Sequence, residues 1–265
     1  MHALLNVAVM AARSAGDTLI RKMRSLDKLK VEKKGHNDFV SDADLAAERA
    51  VIATVQKHYP EHAFLAEESG VTGESEFVWI IDPLDGTTNY LHGFPVFAVS
   101  IALQVKGKLE HAVVYDPLRQ ELFTASRGQG AQLDGRKIRV SGRDRLEQSL
   151  IGTGFPFRQA DAEMTPYLDM LHKVVRNTSG VRRPGAAALD LCYVAAGRLD
   201  AFWETGLSAW DLAAGALIIR EAGGIVSGLD GSENFLDSGH VLCGTPRIYR
   251  ALAKLCSKEI KELLA

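Results

Sequence analysis

One stretch constrains this chain more than any other: Phe77-Val78-Trp79-Ile80-Ile81-Asp82-Pro83-Leu84-Asp85-Gly86-Thr87-Thr88-Asn89-Tyr90. Its apolar start has no charge and no breaker, and it reads as a strand buried in a sheet that stops at Asp82. Pro83 fixes φ and lacks an N–H, so the chain turns there, and Asp82 and Asp85 can bring both carboxylates to one point. Two acids on a tight turn repel each other and lose hydration, so they need a cation or a proton. An all-oxygen ligand set favours a hard metal, Mg²⁺ first, and the turn offers the Leu84 carbonyl as a further, neutral oxygen. Gly86 allows close backbone approach, while Thr87, Thr88 and Asn89 can open a helical turn whose free N–H groups face an anion. A lone acidic turn usually satisfies only its own backbone amides. Here acid pair, carbonyl, glycine and threonines coincide behind one strand, which points to a metal and a phosphate held side by side.

The 265 residues fit a single domain spanning 1–265, large enough to hold a rigid site without staples. Thirty-one basic against 33 acidic residues leave a formal charge of −2, which gives no general electrostatic case for nucleic acid or an anionic membrane. Cys192, Cys243 and Cys256 have neither CxxC nor metal spacing, so a reduced, cytoplasmic protein is expected, with the thiols as buried small hydrophobes. Residues 3–12 are apolar but lack a basic leader, and Leu4, Ala8, Ala12, Ala15 and Leu19 continue a helical stripe past Arg13 and Asp17. They predict an amphipathic helix, and no run reaches the roughly 18 apolar residues of a membrane span.

A basic connector, Lys28 to Lys34, closed by Gly35, His36 and Asn37, reads as a solvated loop unless Lys33 and Lys34 face a phosphate. Ser41 and Asp44 have capping-box spacing before a helix marked by Leu45, Ile52 and Val55 and ended near Tyr59-Pro60. Asp44 either caps that helix or takes part in catalysis. Residues 63–66 form a short strand that ends in Glu67-Glu68, and one of these acids could complete a metal site; a polar loop, Val71 to Glu76, follows. Residues 96–105, 109–115 and 121–125 read as a meander, extended by an Asp134-Gly135 hairpin turn. Residues 149–155 predict a strand, and residues 164–175 a helix with Leu168, Leu171 and Val175 on one face. A basic turn, Val181-Arg182-Arg183-Pro184-Gly185, then enters an apolar helix, Ala186 to Ala196, whose N-terminus, with an arginine beside it, is a second anion site, is plainly capped or joins an interface salt bridge. A strand at 199–203 ends at Glu204, Trp210-Asp211 starts a helix, and strands at 225–226 and 241–243 precede a last helix after Thr245-Pro246. Asp211 caps its helix or serves a metal. The alternation of helices with mostly antiparallel strands predicts an α+β protein of stacked layers.

Glu67-Glu68, residues 79–88 and Trp210-Asp211-Leu212-Ala213-Ala214-Gly215 together resemble the inositol monophosphatase family, and the likeness runs nearly end to end. The resemblance implies a layered αβαβα sandwich with mixed, mostly antiparallel sheets, usually dimeric, that hydrolyses phosphate monoesters with Mg²⁺ and is inhibited by lithium. It further implies that Glu67, Asp82 and the Leu84 carbonyl hold one metal, and Asp82, Asp85 and Asp211 another. Glu67 and Thr87 would position the attacking water, with Asp44 accepting the Thr87 hydroxyl proton. The substrate would touch Glu67, Leu84, Asp85, Gly86, Thr87 and Asp211 at its phosphate end. Arg182, Gly185, Ala187 and Glu204 would border the alcohol. Animal members carry Gly-Thr-Ala where this chain has Gly185-Ala186-Ala187, which removes a hydroxyl near the leaving group.

Two other readings compete. Phosphatases that form an aspartyl phosphate use DxD spacing, which Asp82 and Asp85 do not have. Bacterial members of the family also act in transcription antitermination by protein contact, so RNA polymerase or Nus-type factors are candidate partners. Arg183 would then serve the partner subunit or such a factor, and direct sequence-specific nucleic-acid binding is not expected.

Overall fold

The computed structural model describes residues 2–35, 38–156 and 161–264. His36 and Asn37 of the basic connector lie outside the described residues. The chain opens with helix α1 (Ala3–Met23), the hairpin strands β1 (Val31–Gly35) and β2 (Asp38–Ser41), and helix α2 (Asp42–His58). Next come β3 (Ala63–Ala66), β4 (Gly70–Thr72), β5 (Phe77–Asp85), the short helix α3 (Thr87–Leu91), β6 (Ala98–Val105), β7 (Lys108–Asp116), β8 (Glu121–Ser126), β9 (Gly130–Leu133) and β10 (Arg136–Ile138). The second half holds β11 (Leu150–Thr153), α4 (Asp161–Asn177), β12 (Gly180–Arg182), α5 (Ala187–Ala195), β13 (Ala201–Glu204), α6 (Ala209–Glu221), β14 (Ile225–Ser227), α7 (Phe235–Ser238), β15 (Val241–Gly244), α8 (Pro246–Leu255) and α9 (Ser257–Leu263).

Strands β3 to β10 form an eight-stranded sheet in the order β10-β9-β8-β7-β6-β5-β3-β4, and a five-stranded sheet runs β12-β11-β13-β15-β14. Pairing is antiparallel except for β3 with β5 and β11 with β12 and β13. The apolar run of β5 does not alternate with polar residues because both faces of its sheet are covered. Trp79 and Ile81 of β5, Val99 and Ile101 of β6 and Val113 of β7 pack on one side against α1 and α2. Ile80, Ala102 and Val114 face the other way, onto α5 and α6. Those two helices are apolar almost all round because they lie between the sheets, with Phe202 and Cys243 of the second sheet on their far side. Ala201, Trp203 and Leu242 point outward to α4, α8 and α9. The layers are therefore α, β, α, β, α, as the resemblance implies.

Several local readings differ from the structure. Strand β5 does not end at Asp82: pairing with β6 resumes at Asp85 opposite Ala98, and the intervening Pro83-Leu84 is accommodated by a register shift, where a missing N–H costs no ladder bond. The basic connector is largely a hairpin strand, with Glu32 opposite Val40 and Lys33 opposite Phe39. The loop after Glu68 contains β4, paired antiparallel to β3. In α2 the buried stripe is Ala43, Ala47, Val51 and Val55, whereas Leu45 is exposed. In α4 the buried face is Tyr167, Met170 and Val174; Leu168 and Val175 are exposed at 48% and 54%. The larger aromatic and thioether side chains win the interior, one position away from the predicted stripe. The last helix breaks at Cys256 into α8 and α9. Helix α1 is long and apolar enough to cross a membrane by length and composition, against expectation; here its apolar face, including Ala8, Ala12 and Leu19, is buried in the core.

The middle layer depends on a close approach at Gly215 of α6, where a Cβ would stand 2.5 Å from Leu191 of α5. Gly215→Ala is expected to wedge α5 from α6 and cost about 1–3 kcal/mol. Chemical denaturation checks this, and an unshifted midpoint would show that the layer tolerates expansion.

Candidate active site

The end of β5 builds one wall of a cavity of about 340 Å³. Asp82 is fully buried, and its Oδ1 accepts the Leu84 N–H at 2.9 Å, which closes the turn and fixes the carboxylate. Gly86, at φ 90°, then reverses the chain into α3. A Cβ there would meet the Val96 carbonyl at 2.9 Å and the Gly185 carbonyl at 3.2 Å, so both conformation and space demand glycine. Asn89 ties this corner to the basic turn by donating from Nδ2 to the Val96 and Pro184 carbonyls at 2.8 and 2.9 Å.

Asp85 crosses between layers. Its Oδ1 accepts the Ala187 N–H at 3.2 Å and its Oδ2 the Ala188 N–H at 2.7 Å, so a residue of the first sheet caps α5. The N-terminus of α5 is thus capped by Asp85. Asp211 sits in the first turn of α6 and its Oδ2 accepts the Ser208 N–H at 2.7 Å. The Ser208–Asp211 spacing repeats that of Ser41 and Asp44. Capping and cation binding do not compete for these carboxylates, because each retains lone pairs beyond the backbone bonds.

One carboxylate oxygen from each of Asp82, Asp85 and Asp211 lies within 4.8 Å of the others. Glu67 follows β3, and its N–H donates to the Ile81 carbonyl at 3.1 Å, which anchors it beside the end of β5. Burial, then the charges of Glu67, Asp85 and Asp211, push the Asp82 carboxyl well above the ordinary carboxylate range. Such a set is unfavourable with all its members ionised and nothing between them. It is composed entirely of oxygens, so it fits a hard divalent cation.

Asp44 is fully buried on α2. Its Oδ2 accepts the Ser41 N–H at 2.9 Å and hydroxyl at 2.6 Å, and its Oδ1 lies 3.0 Å from Thr87 Oγ1. Burial raises its pKa, while the hydrogen bonds from Ser41 and Thr87 oppose the rise. The Thr87 hydroxyl is also 3.0 Å from the Leu84 carbonyl. It has one proton, so it donates to one of these acceptors at a time. Asp44 is thus both a cap and a partner of Thr87.

Glu67, Asp82, Leu84, Asp85, Gly86, Thr87, Gly185, Ala187, Glu204 and Asp211 all line the cavity, as do Arg183, Asp190 and Asn89. Arg182 does not; its Nη1 donates to the Val181 carbonyl. Arg183 takes the place at the rim, with its guanidinium 5.6 Å from the centre of the Phe155 ring. Asp190 was missed, although a single acid inside an otherwise apolar helix was a visible signal.

A layered sandwich with a buried acid cluster at a strand end beside a glycine-capped helical turn defines a class of metal-dependent phosphate-processing protein. The model of the inositol monophosphatase family matches residues 1–262, and the chain belongs to that family of phosphoric monoester hydrolases. It is 54% identical to the Nus factor SuhB of Pseudomonas aeruginosa, over 95% of each chain. It is 51% identical to an inositol-1-monophosphatase of Mesorhizobium japonicum, over 97% of each. The crystal structure of the extragenic suppressor protein suhB from Bartonella henselae superposes with a TM-score of 0.94 at 46% identity, covering 97% of this chain and 99% of that one.

The raised carboxyl of Asp82 sets the sign of a pH effect. With no cation bound, folding favours its protonated form, so this contribution to stability is complete below the unfolded value of 3.8 and is lost as pH rises through the raised folded value. Thermal unfolding of chelated protein should therefore show a midpoint that falls as the pH rises above 3.8, with Mg²⁺ raising the midpoint and flattening the slope. Asp82→Asn should reduce the slope and the Mg²⁺ response together. A midpoint indifferent to Mg²⁺ would mean that the acid cluster holds no cation.

Proposed function

We propose that the protein hydrolyses a small phosphate monoester, such as inositol 1-phosphate or a similar polyol phosphate, with Mg²⁺ and by direct attack of water. The observation that carries this reading is the convergence of Asp82, Asp85 and Asp211 on a point beside Gly86 and Thr87. Glu67, Asp82 and the Leu84 carbonyl would hold one Mg²⁺, and Asp82, Asp85 and Asp211 a second. When bound, the two cations neutralise the monoester dianion, activate water and stabilise the departing alkoxide.

The chain supplies the positioning. Thr87, with its proton directed to Asp44 at 3.0 Å, turns an oxygen lone pair towards the attacking water, and Glu67 accepts a second hydrogen bond from that water. The backbone amides of Gly86 and Thr87 receive phosphate oxygens. Asp85, already bonded to the first amides of α5, keeps Ala187 and Gly185 beside the leaving group. Glu204 accepts hydrogen bonds from alcohol hydroxyls, and the exposed Arg183 offers positive charge at the rim, a place that sequence reasoning gave to Arg182. The aspartates already accept backbone amides, which favours their use as ligands over nucleophilic attack on phosphorus.

A second role in transcription antitermination, through contact with RNA polymerase or Nus-type factors by a homodimer, is supported by relatives named Nus factor SuhB. Asp82→Asn should abolish hydrolysis and leave any such association intact, since Asp82 is buried beneath the cavity.

Purified protein should hydrolyse polyol phosphates only with divalent metal, and Asp82→Asn or Asp211→Asn should lower kcat by several orders of magnitude. Full turnover after exhaustive chelation would refute the reading. Thr87→Ala should lower kcat roughly a hundredfold with little change in KM, because a water-orienting hydroxyl acts in the transition state. Steady-state kinetics checks this, and an unchanged kcat would remove Thr87 and Asp44 from the mechanism.

A further inference from the structure

Helix α5 is apolar but for one residue. Ala187, Ala188, Leu189, Leu191, Cys192, Val194 and Ala195 are buried, and among them stands Asp190, 1% exposed. Three structural explanations for an acid there fail. It does not cap the helix, because the Ala187 and Ala188 amides are taken by Asp85. It forms no salt bridge among the described residues. Its Oδ1 is buried and has no hydrogen-bond partner among the described residues. A buried polar oxygen left without a partner costs on the order of 1–3 kcal/mol, so a residue kept in that state needs a ligand to explain it.

The cavity supplies the place for one. Asp190 lines it together with Glu204. Two glycines lie nearby, Gly152 in strand β11 and Gly154 one residue past its end. A Cβ at Gly154 would stand 1.9 Å from the Glu204 carboxyl carbon, and one at Gly152 would come within 3.7 Å of Asp190 Oδ1. The Glu204 carboxyl fills the space that a side chain at Gly154 would take, whereas Gly152 is packed against Leu199 and Phe202 with Asp190 Oδ1 at ordinary contact distance. Two carboxyls thus line the same cavity, and the charge of Glu204 reaches Asp190.

We infer that Asp190 is a specificity-determining residue of the alcohol end of the cavity, where its carboxyl contacts a hydroxyl of the leaving group beside Glu204. A hydroxyl is at once a donor and an acceptor, and a neutral acid next to a carboxylate offers it one of each. Burial, with the neighbouring Glu204 and Asp85 charges, favours the neutral form of Asp190, and Arg183 opposes it. This inference rests on the phosphatase reading and names a contact within it.

Asp190→Leu keeps the branched shape and removes both donor and acceptor, which an amide would still offer. Wild type and variant, each supplied with Mg²⁺, are compared on myo-inositol 1-phosphate and on p-nitrophenyl phosphate, whose leaving group carries no further hydroxyl. The ratio of kcat/KM for the cyclitol ester to that for the aryl ester should fall roughly tenfold in the variant, the effect of one lost hydrogen bond. Inhibition by inorganic phosphate, which fills only the other end, should be unchanged. The thermal midpoint should be unchanged or raised, since the acid oxygen contributes no bond to the fold. An unchanged ratio overturns the inference. So does a variant that fails to fold or loses both substrates equally, because Asp190 would then serve the scaffold. An active wild type with an unchanged ratio sinks only the role of Asp190, whereas a wild type inactive on every phosphate monoester sinks the phosphatase reading and this one with it.

Discussion

The mutual repulsion of carboxylates in a water-poor pocket is the constraint on which the rest of the structure depends. Asp82 lies within electrostatic reach of Glu67, Asp85 and Asp211, and burial strengthens every one of those interactions. Such a cluster persists only if the surrounding fold over-determines it. Asp82 is fixed by the Leu84 amide, Asp85 by two amides of α5 and Asp211 by the Ser208 amide. Each acid is held by backbone donors from an element that is itself packed in the core, so the cluster cannot relax by swinging its side chains into water.

That arrangement draws a small site from four of the five layers. The strand end supplies Asp82 and Asp85, the middle helical layer supplies Asp211 and the amides that hold Asp85, and the outer helix α2 supplies Asp44. The second sheet brings Glu204 from the far side. Chemistry and packing meet in Asp85, whose carboxylate both caps α5 and faces the cavity. A cation that neutralised the cluster would therefore also tighten the joint between the first sheet and the middle layer.

Much of this was legible because the signals were local. The turn after Ile81, the Ser41–Asp44 capping spacing and the apolar character of residues 186–196 each follow from nearest-neighbour chemistry. The meeting of Asp211 with Asp82 was not legible from spacing; it depends on how α6 lies across β5 to β8, and only the family resemblance implied it. The hairpin β1–β2 was unread because Glu32 and Lys33 are charged and exposed, and edge strands of that kind lack an apolar period. In α4, two stripes one residue apart both satisfy a helical period, and side-chain volume in the outer core chose Tyr167, Met170 and Val174. The resemblance gave the alcohol end to Arg182, but adjacent residues in an extended segment point to opposite sides, and the geometry puts Arg183 at the cavity.

The central claim is that the acid cluster is a two-cation centre. Crystals grown with inorganic phosphate and soaked in Mn²⁺, with data collected at the manganese edge, test it most directly. The account predicts two anomalous peaks roughly 4 Å apart, both touching Asp82, one beside Glu67 and the Leu84 carbonyl, the other beside Asp85 and Asp211. No peak at Asp82, or peaks only at surface carboxylates, would contradict it.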